Sequence, residues 1–204
     1  MMNSSRVIGI FDSGFGGLDI FRYIEKELPS YDYVYLGDNA RAPYGNRSHQ
    51  VVYEFVKEGV EYLFQNGAEL IILACNTGSS EALRRIQQEY LPQKYPTRRV
   101  LGVIIPTAEY VVKDLHVNRV GVIGTEGTIS SRAFVRELQK IHPRIKVFQK
   151  ACPLLAPIVE AGEERSAATT LILQNYLQPL LRYNPEALIL ACTHYGVLEK
   201  NISR

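Results

Sequence analysis

Glu69-Leu-Ile-Ile-Leu-Ala-Cys75-Asn-Thr77 returns later in the chain as Glu186-Ala-Leu-Ile-Leu-Ala-Cys192-Thr-His194. Each is a short apolar run of the kind that forms a buried strand, closed by a cysteine and small polar residues. A cysteine so placed stands at the carboxyl end of a strand, where open α/β sheets bind their ligands. Outward from these two runs, five more share the apolar, β-branched character, so strands are expected at residues 7–11, 33–36, 70–74, 100–103, 120–123, 146–149 and 188–191. Between them, helical periodicity covers residues 17–28, 50–65, 79–90, 129–141 and 167–183. Alternation of this kind reads as βαβ units around parallel sheets.

The Cys75 and Cys192 segments resemble each other, as do Ile8-Gly-Ile-Phe-Asp12 and Gly121-Val-Ile-Gly-Thr125. This weak internal repeat predicts an α/β protein of two similar lobes. Each lobe is a mainly parallel sheet flanked by helices and contributes one thiol to a site between them. Leu91-Pro-Gln-Lys-Tyr-Pro-Thr97 is the best candidate for a break. The expected lobes are therefore residues 1–97, carrying Asp12 and Cys75, and residues 98–204, carrying Glu160 and Cys192. The chain stops twelve residues after Cys192, so the second half is expected to be incomplete at its C-terminus.

Composition narrows the function. With 204 residues, 46% apolar and 22% charged, the chain has the makeup of a globular protein with a real core. A net charge of +2 with scattered basic residues gives no case for nucleic acid. No run approaches the roughly 20 apolar residues that span a bilayer, and Met1-Met-Asn-Ser-Ser-Arg6 lacks a signal-peptide pattern. Three cysteines make no disulfide framework, so a reducing cytoplasm is the default. There is no CxxC and no His/Cys set at zinc spacing, so no metal is expected.

Two thiols presented alike suggest an acid and a base on opposite faces of one substrate, the requirement for inverting a carbon centre without a cofactor. A free thiol has a pKa near ~8.5, and half ionisation at pH 7 needs about 1.5 units, or roughly 2 kcal/mol, of thiolate stabilisation. Backbone N–H groups at a strand-to-helix junction are expected to supply it at both cysteines. Cys152, before Pro153, has no such setting and reads as structural.

Asp12-Ser-Gly-Phe-Gly-Gly17 follows the first strand. It fails the dinucleotide fingerprint, because Asp19 stands where the last glycine belongs, and it fails the P-loop for want of Lys-Ser/Thr. What remains is a turn presenting Asp12 and Ser13, with N–H groups able to hold a carboxylate; the plainer reading is a βα turn capped by Asp12. The loop Asp38-Asn-Ala-Arg-Ala-Pro43-Tyr44-Gly45 can offer the main-chain N–H groups of Tyr44 and Gly45, or simply be surface. Asn76, Thr77 and Thr193 are small hydrogen-bonding residues beside the thiols. His194 could assist proton transfer or be a partly exposed helix-start histidine, and Glu160 alone passes for an exposed helix-end carboxylate.

Taken together, Asp12-Ser-Gly-Phe-Gly-Gly-Leu18, Pro43-Tyr-Gly45, Ala74-Cys-Asn-Thr77 and Cys192-Thr-His-Tyr195 resemble bacterial glutamate racemase, in order and spacing from about residue 7 to the end. The resemblance implies cofactor-independent interconversion of L- and D-glutamate, supplying D-glutamate for peptidoglycan. It implies that Cys75 and Cys192 are the acid/base thiols and that Asp12, Glu160 and His194 assist them. It also implies that Asp12, Ser13, Pro43, Tyr44, Gly45, Asn76, Thr77 and Thr193 hold the substrate. Related aspartate racemases share the two-cysteine logic, and the His-Tyr after the second cysteine favours glutamate.

Three departures accompany it. Gly78 and Gly196 stand where Ala and Pro are common, and the family usually continues for some tens of residues past Thr-His-Tyr. The expectations that follow are a homodimer closing over the gap, or a weakly active remnant with a binding or regulatory role.

Overall fold

The apolar runs become strands because β-branched and large side chains suit a pleated surface covered on both faces. The computed structural model describes residues 6–203. The amino-terminal stretch read above for a leader lies, up to residue 5, outside the described residues, as does Arg204. The chain divides into two units, Met1–Val103 and Ile104–Arg204.

In the first unit, β1 (Val7–Asp12), β2 (Asp32–Gly37), β3 (Ala68–Leu73) and β4 (Arg99–Gly102) form a parallel sheet in the order β2-β1-β3-β4. One face is covered by α1 (Gly17–Glu27), whose Ile20, Phe21 and Ile24 pack on Ile8, Ile10 and Ala74. The other face receives α2 (His49–Gln65), which Ser48 opens by accepting the Val51 N–H at 3.4 Å. Its buried stripe of Val52, Val56, Val60 and Leu63 has helical spacing and meets Phe11, Ile71 and Leu73. Each such side chain contributes about 1.5–3 kcal/mol on leaving water. Gly59 interrupts the stripe because the helix lies so close to β1: a Cβ there would sit 2.4 Å from Phe11 Cε2.

After β3 the chain turns at Cys75 into α3 (Asn76–Glu81). It continues through α4 (Leu83–Arg85), a π-helical segment Ile86–Tyr90 and α5 (Leu91–Lys94). The helix expected over residues 79–90 thus begins earlier and is irregular. The expected break at residues 91–97 is partly helical, and the strand beyond it, β4, pairs with β3. The boundary therefore falls after Val103, not after residue 97. Hydrogen bonding across the sheet assigned β4, where local composition could not.

In the second unit, β5 (Arg119–Gly124), β6 (Lys146–Ala151) and β7 (Ala187–Ala191) form a parallel sheet in the order β6-β5-β7. A core of Val120, Val122 and Ile189 faces α6 (Ile104–Lys113) and α8 (Ala133–Ile141). A second core, with Ile123, faces α9 (Leu155–Glu160) and α10 (Ala167–Leu181). The chain closes with a 3₁₀ segment, Thr193–Leu198, and α11 (Glu199–Ile202).

The helix expected over residues 129–141 is two: α7 (Glu126–Ser130) stops, Arg132 takes φ 55°, and Ser131 Oγ accepts the Ala133 N–H that opens α8. Helix α6 escaped the sequence reading because Pro106 lies in its first turn, where a missing N–H costs nothing. In both units the first strand sits beside the cysteine-bearing one, β1 by β3 and β5 by β7.

Candidate active site

In the first unit, parallel pairing of β1 with β3 brings Asp12, Ser13 and Cys75 to the same sheet end. Asp12 is fully buried, and its Oδ2 accepts the N–H groups of Gly14 at 3.2 Å and Gly17 at 3.0 Å. Asp12 thereby ties the turn to the first residue of α1. Those two N–H groups are taken by Asp12 and are not open to a ligand. Gly17 is required there, because a Cβ would lie 2.6 Å from Asp12 Cβ.

Cys75 is 4% exposed, with Sγ 3.4 Å from Ser13 Oγ and accepting the Gly78 N–H at 3.3 Å. The expected N–H donors are thus present. They do not win: burial first, then the Asp12 charge, push the thiol up to about 11 against the pull of the Ser13 and Gly78 donors. The expected depression fails here because desolvation disfavours the thiolate more than two or three hydrogen bonds favour it. Cys75 therefore rests as a thiol. Asn76 and Thr77 follow it, both buried.

Tyr35, which sequence reasoning missed, donates from its hydroxyl to Gly14 O at 2.8 Å and braces the Asp12–Gly17 turn. Its alternation in β2 was the only signal available. Pro43, Tyr44 and Gly45 lie in the loop after β2, entered through a cis Ala42–Pro43 peptide. Tyr44 and Gly45 are buried, which excludes the plain surface-loop reading.

In the second unit, β7 delivers Cys192, 9% exposed, directly into the 3₁₀ segment. Cys192 holds the N-cap position of that segment in an extended conformation. Two side-chain contacts follow one another at Cys192. Cys192 Sγ lies 3.7 Å from His194 Nδ1, and His194 Nε2 lies 2.5 Å from Glu160 Oε1. A carboxylate on Nε2 holds the proton there and leaves Nδ1 to accept from the thiol. His194 is 4% exposed, not the partly exposed helix-start residue of the plainer reading. Glu160 closes α9, and its side chain is 39% exposed.

Tyr195, fully buried, donates to Cys152 O at 2.8 Å and fixes the segment that carries His194. Cys152 is fully buried, and burial pushes its thiol up to about 12, in keeping with a structural role. Among the described residues, no group of three or more His, Cys, Asp or Glu side chains could hold a metal ion, and no helix is long and apolar enough to cross a membrane.

The Asp/Glu/Hydantoin racemase family profile matches residues 17–204. The chain belongs to that family. This racemase-family chain is 41% identical to the glutamate racemase of Persephonella marina over 198 residues, 97% of this chain and 73% of the relative. A glutamate racemase of Bacillus anthracis superposes with a TM-score of 0.89 at 39% identity, covering 97% of this chain and 72% of that one. The glutamate racemase of Francisella tularensis, solved with D-glutamate, superposes with a TM-score of 0.87 at 35% identity, covering 98% and 73%. Two parallel-sheet lobes flanked by helices are common to these structures and this one.

Proposed function

We propose that the protein interconverts L- and D-glutamate without a cofactor, with Cys75 and Cys192 alternating as base and acid on opposite faces of the α-carbon. One observation carries this: two thiols stand at equivalent strand ends, each with its own ionisable assistant, Asp12 at Cys75 and His194–Glu160 at Cys192. In one direction Cys192 passes its proton to His194 Nδ1, and its thiolate removes the substrate α-proton. Cys75, already a thiol, donates to the opposite face. In the other direction the roles exchange, and Asp12, beside Cys75, assists that proton transfer.

Ser13, Asn76, Thr77 and Thr193 hold the ammonium and carboxylates, and Pro43, Tyr44 and Gly45 shape a main-chain edge for a carboxylate. Donors aimed at charge developing next to the carbanion are worth ~10²–10³ in rate each in comparable sites. The similarity to glutamate racemases supports glutamate as the substrate, D-glutamate for peptidoglycan as the product's use, and the bacterial cytoplasm as the setting.

The test is circular dichroism of the protein with L-glutamate, with no cofactor added, alongside α-deuterium uptake in D₂O from either enantiomer. We expect the signal to decay and both enantiomers to exchange. Cys75→Ala and Cys192→Ala should each lose ~10²–10⁴-fold in racemisation, the usual scale for a general acid or base. Near-normal racemisation by either variant would defeat the two-thiol scheme. Turnover of aspartate in preference to glutamate would defeat the substrate assignment alone.

A further inference from the structure

Among the described residues, neither the Tyr44 N–H nor the Gly45 N–H has an acceptor within the protein, although both residues are buried. Buried main-chain donors are almost always paired, so this edge has the chemistry of a carboxylate receptor. What holds the edge in place is a set of side chains with no role assigned so far. Asp38, at the start of the loop, accepts on Oδ2 from both Arg41 Nε, at 2.7 Å, and the Tyr44 hydroxyl. It thus ties the first residue of the loop to its far side. Arg41 NH1 donates to Glu58 Oε2 on α2 at 2.6 Å, and its guanidinium lies 4.1 Å over the Phe55 ring. The Tyr44 ring is wedged between Phe11 and Phe55. The Asp38 N–H donates to Asp12 O at 3.0 Å, which joins the loop to the end of β1 beside Cys75.

An arginine in this loop is an obvious candidate partner for a substrate carboxylate. The geometry argues otherwise. Two of its nitrogens already serve carboxylates, and Asp38 and Glu58 together outweigh its charge. Its influence on a ligand therefore runs through the loop.

We propose that Asp38, Arg41 and Glu58 form a clasp that presents the Tyr44 and Gly45 N–H groups to a carboxylate of an amino-dicarboxylate substrate. They are positioning residues, and the inference rests on the racemase reading above. Removing the clasp weakens ground-state and transition-state binding alike, so it raises KM and leaves kcat in place.

The experiment is calorimetric titration of the full chain with L- and D-glutamate, paired with racemisation kinetics, for the wild type, Asp38→Asn, Arg41→Ala and Arg41→Lys. Loss of a charge-assisted contact predicts about tenfold weaker binding and a matching rise in KM for Asp38→Asn and Arg41→Ala, with kcat within about twofold of wild type. Arg41→Lys keeps the charge but not the span between two carboxylates, so it falls between wild type and Arg41→Ala. If Arg41→Ala does not fold, Glu58→Gln carries the test, since it removes only the charge that Arg41 NH1 meets and is expected to raise KM in the same way. Folded variants with unchanged affinity and KM, or with lowered kcat at unchanged KM, overturn the clasp while leaving the racemase standing. A wild-type protein that binds neither enantiomer overturns the clasp together with the reading it rests on.

Discussion

Gly78 and Gly196, which each follow a cysteine by a few residues, are not equivalent. A Cβ at Gly78 would meet Val56 Cγ2 at 3.1 Å and stand 3.8 Å from Cys75 Sγ, so the fully buried Val56 would have to move. At Gly196 nothing lies within 4 Å, and the backbone avoids the left-handed region. Gly196→Ala should therefore raise the unfolding free energy by about 0.4–1 kcal/mol, through a less flexible unfolded chain. Urea denaturation checks this, and an unchanged or lowered midpoint counts against it.

At the same scale, legibility from sequence was uneven. Both thiols, and the N–H donor at Cys75, could be read from strand-end motifs. The direction of the Cys75 pKa could not, because burial and the Asp12 charge depend on packing that no local pattern encodes. The bond between Glu160 and His194 joins residues 34 positions apart, and nothing in either neighbourhood announces it.

Helix α2 shows how an element can depend on a residue that its own propensities disfavour. Gly59 costs helix stability relative to Ala by roughly 1 kcal/mol, yet a Cβ there would overlap the Phe11 ring. Gly59→Ala should destabilise the protein by about 1–3 kcal/mol through overpacking, where helix propensity alone predicts a gain; the sign of the shift in urea midpoint decides between them. Helix α10 offers a simpler case. Ser166 accepts the Thr169 N–H at 3.2 Å, and Ser166→Ala should cost about 1 kcal/mol, read by the same titration.

Elements built on periodicity, such as α2 and α10, and the seven strands of the described residues were visible in the sequence. Those shaped by a single backbone event were not. The stop at Arg132 between α7 and α8 and the proline-bearing first turn of α6 each needed the folded chain to show them.

Across the whole molecule, buried thiols in both units set a common alkaline limit. Cys75 is held up at about 11 and Cys152 at about 12, against an ordinary value of 9.0. Below the ordinary value both are protonated in the folded and unfolded chain alike. Above it the unfolded chain loses those protons first, so stability falls as pH rises through the folded values. For Cys75 the loss between about pH 9 and 11 amounts to about 2–3 kcal/mol. Urea midpoints measured under reducing conditions across this range should drop less steeply in Cys75→Ala than in wild type. Equal slopes would mean that the Cys75 thiol ionises as readily in the folded chain as in the unfolded one.

Asp12 is an instructive target for mutational scanning. Its carboxylate holds the opening of α1 and also bears on the ionisation of Cys75. A library scored for abundance alone would file Asp12 with the scaffold, and one scored for growth alone would file it with the chemistry. Only paired readouts on the same variants would reveal that a single side chain answers to both selections, and that neither can relax without the other.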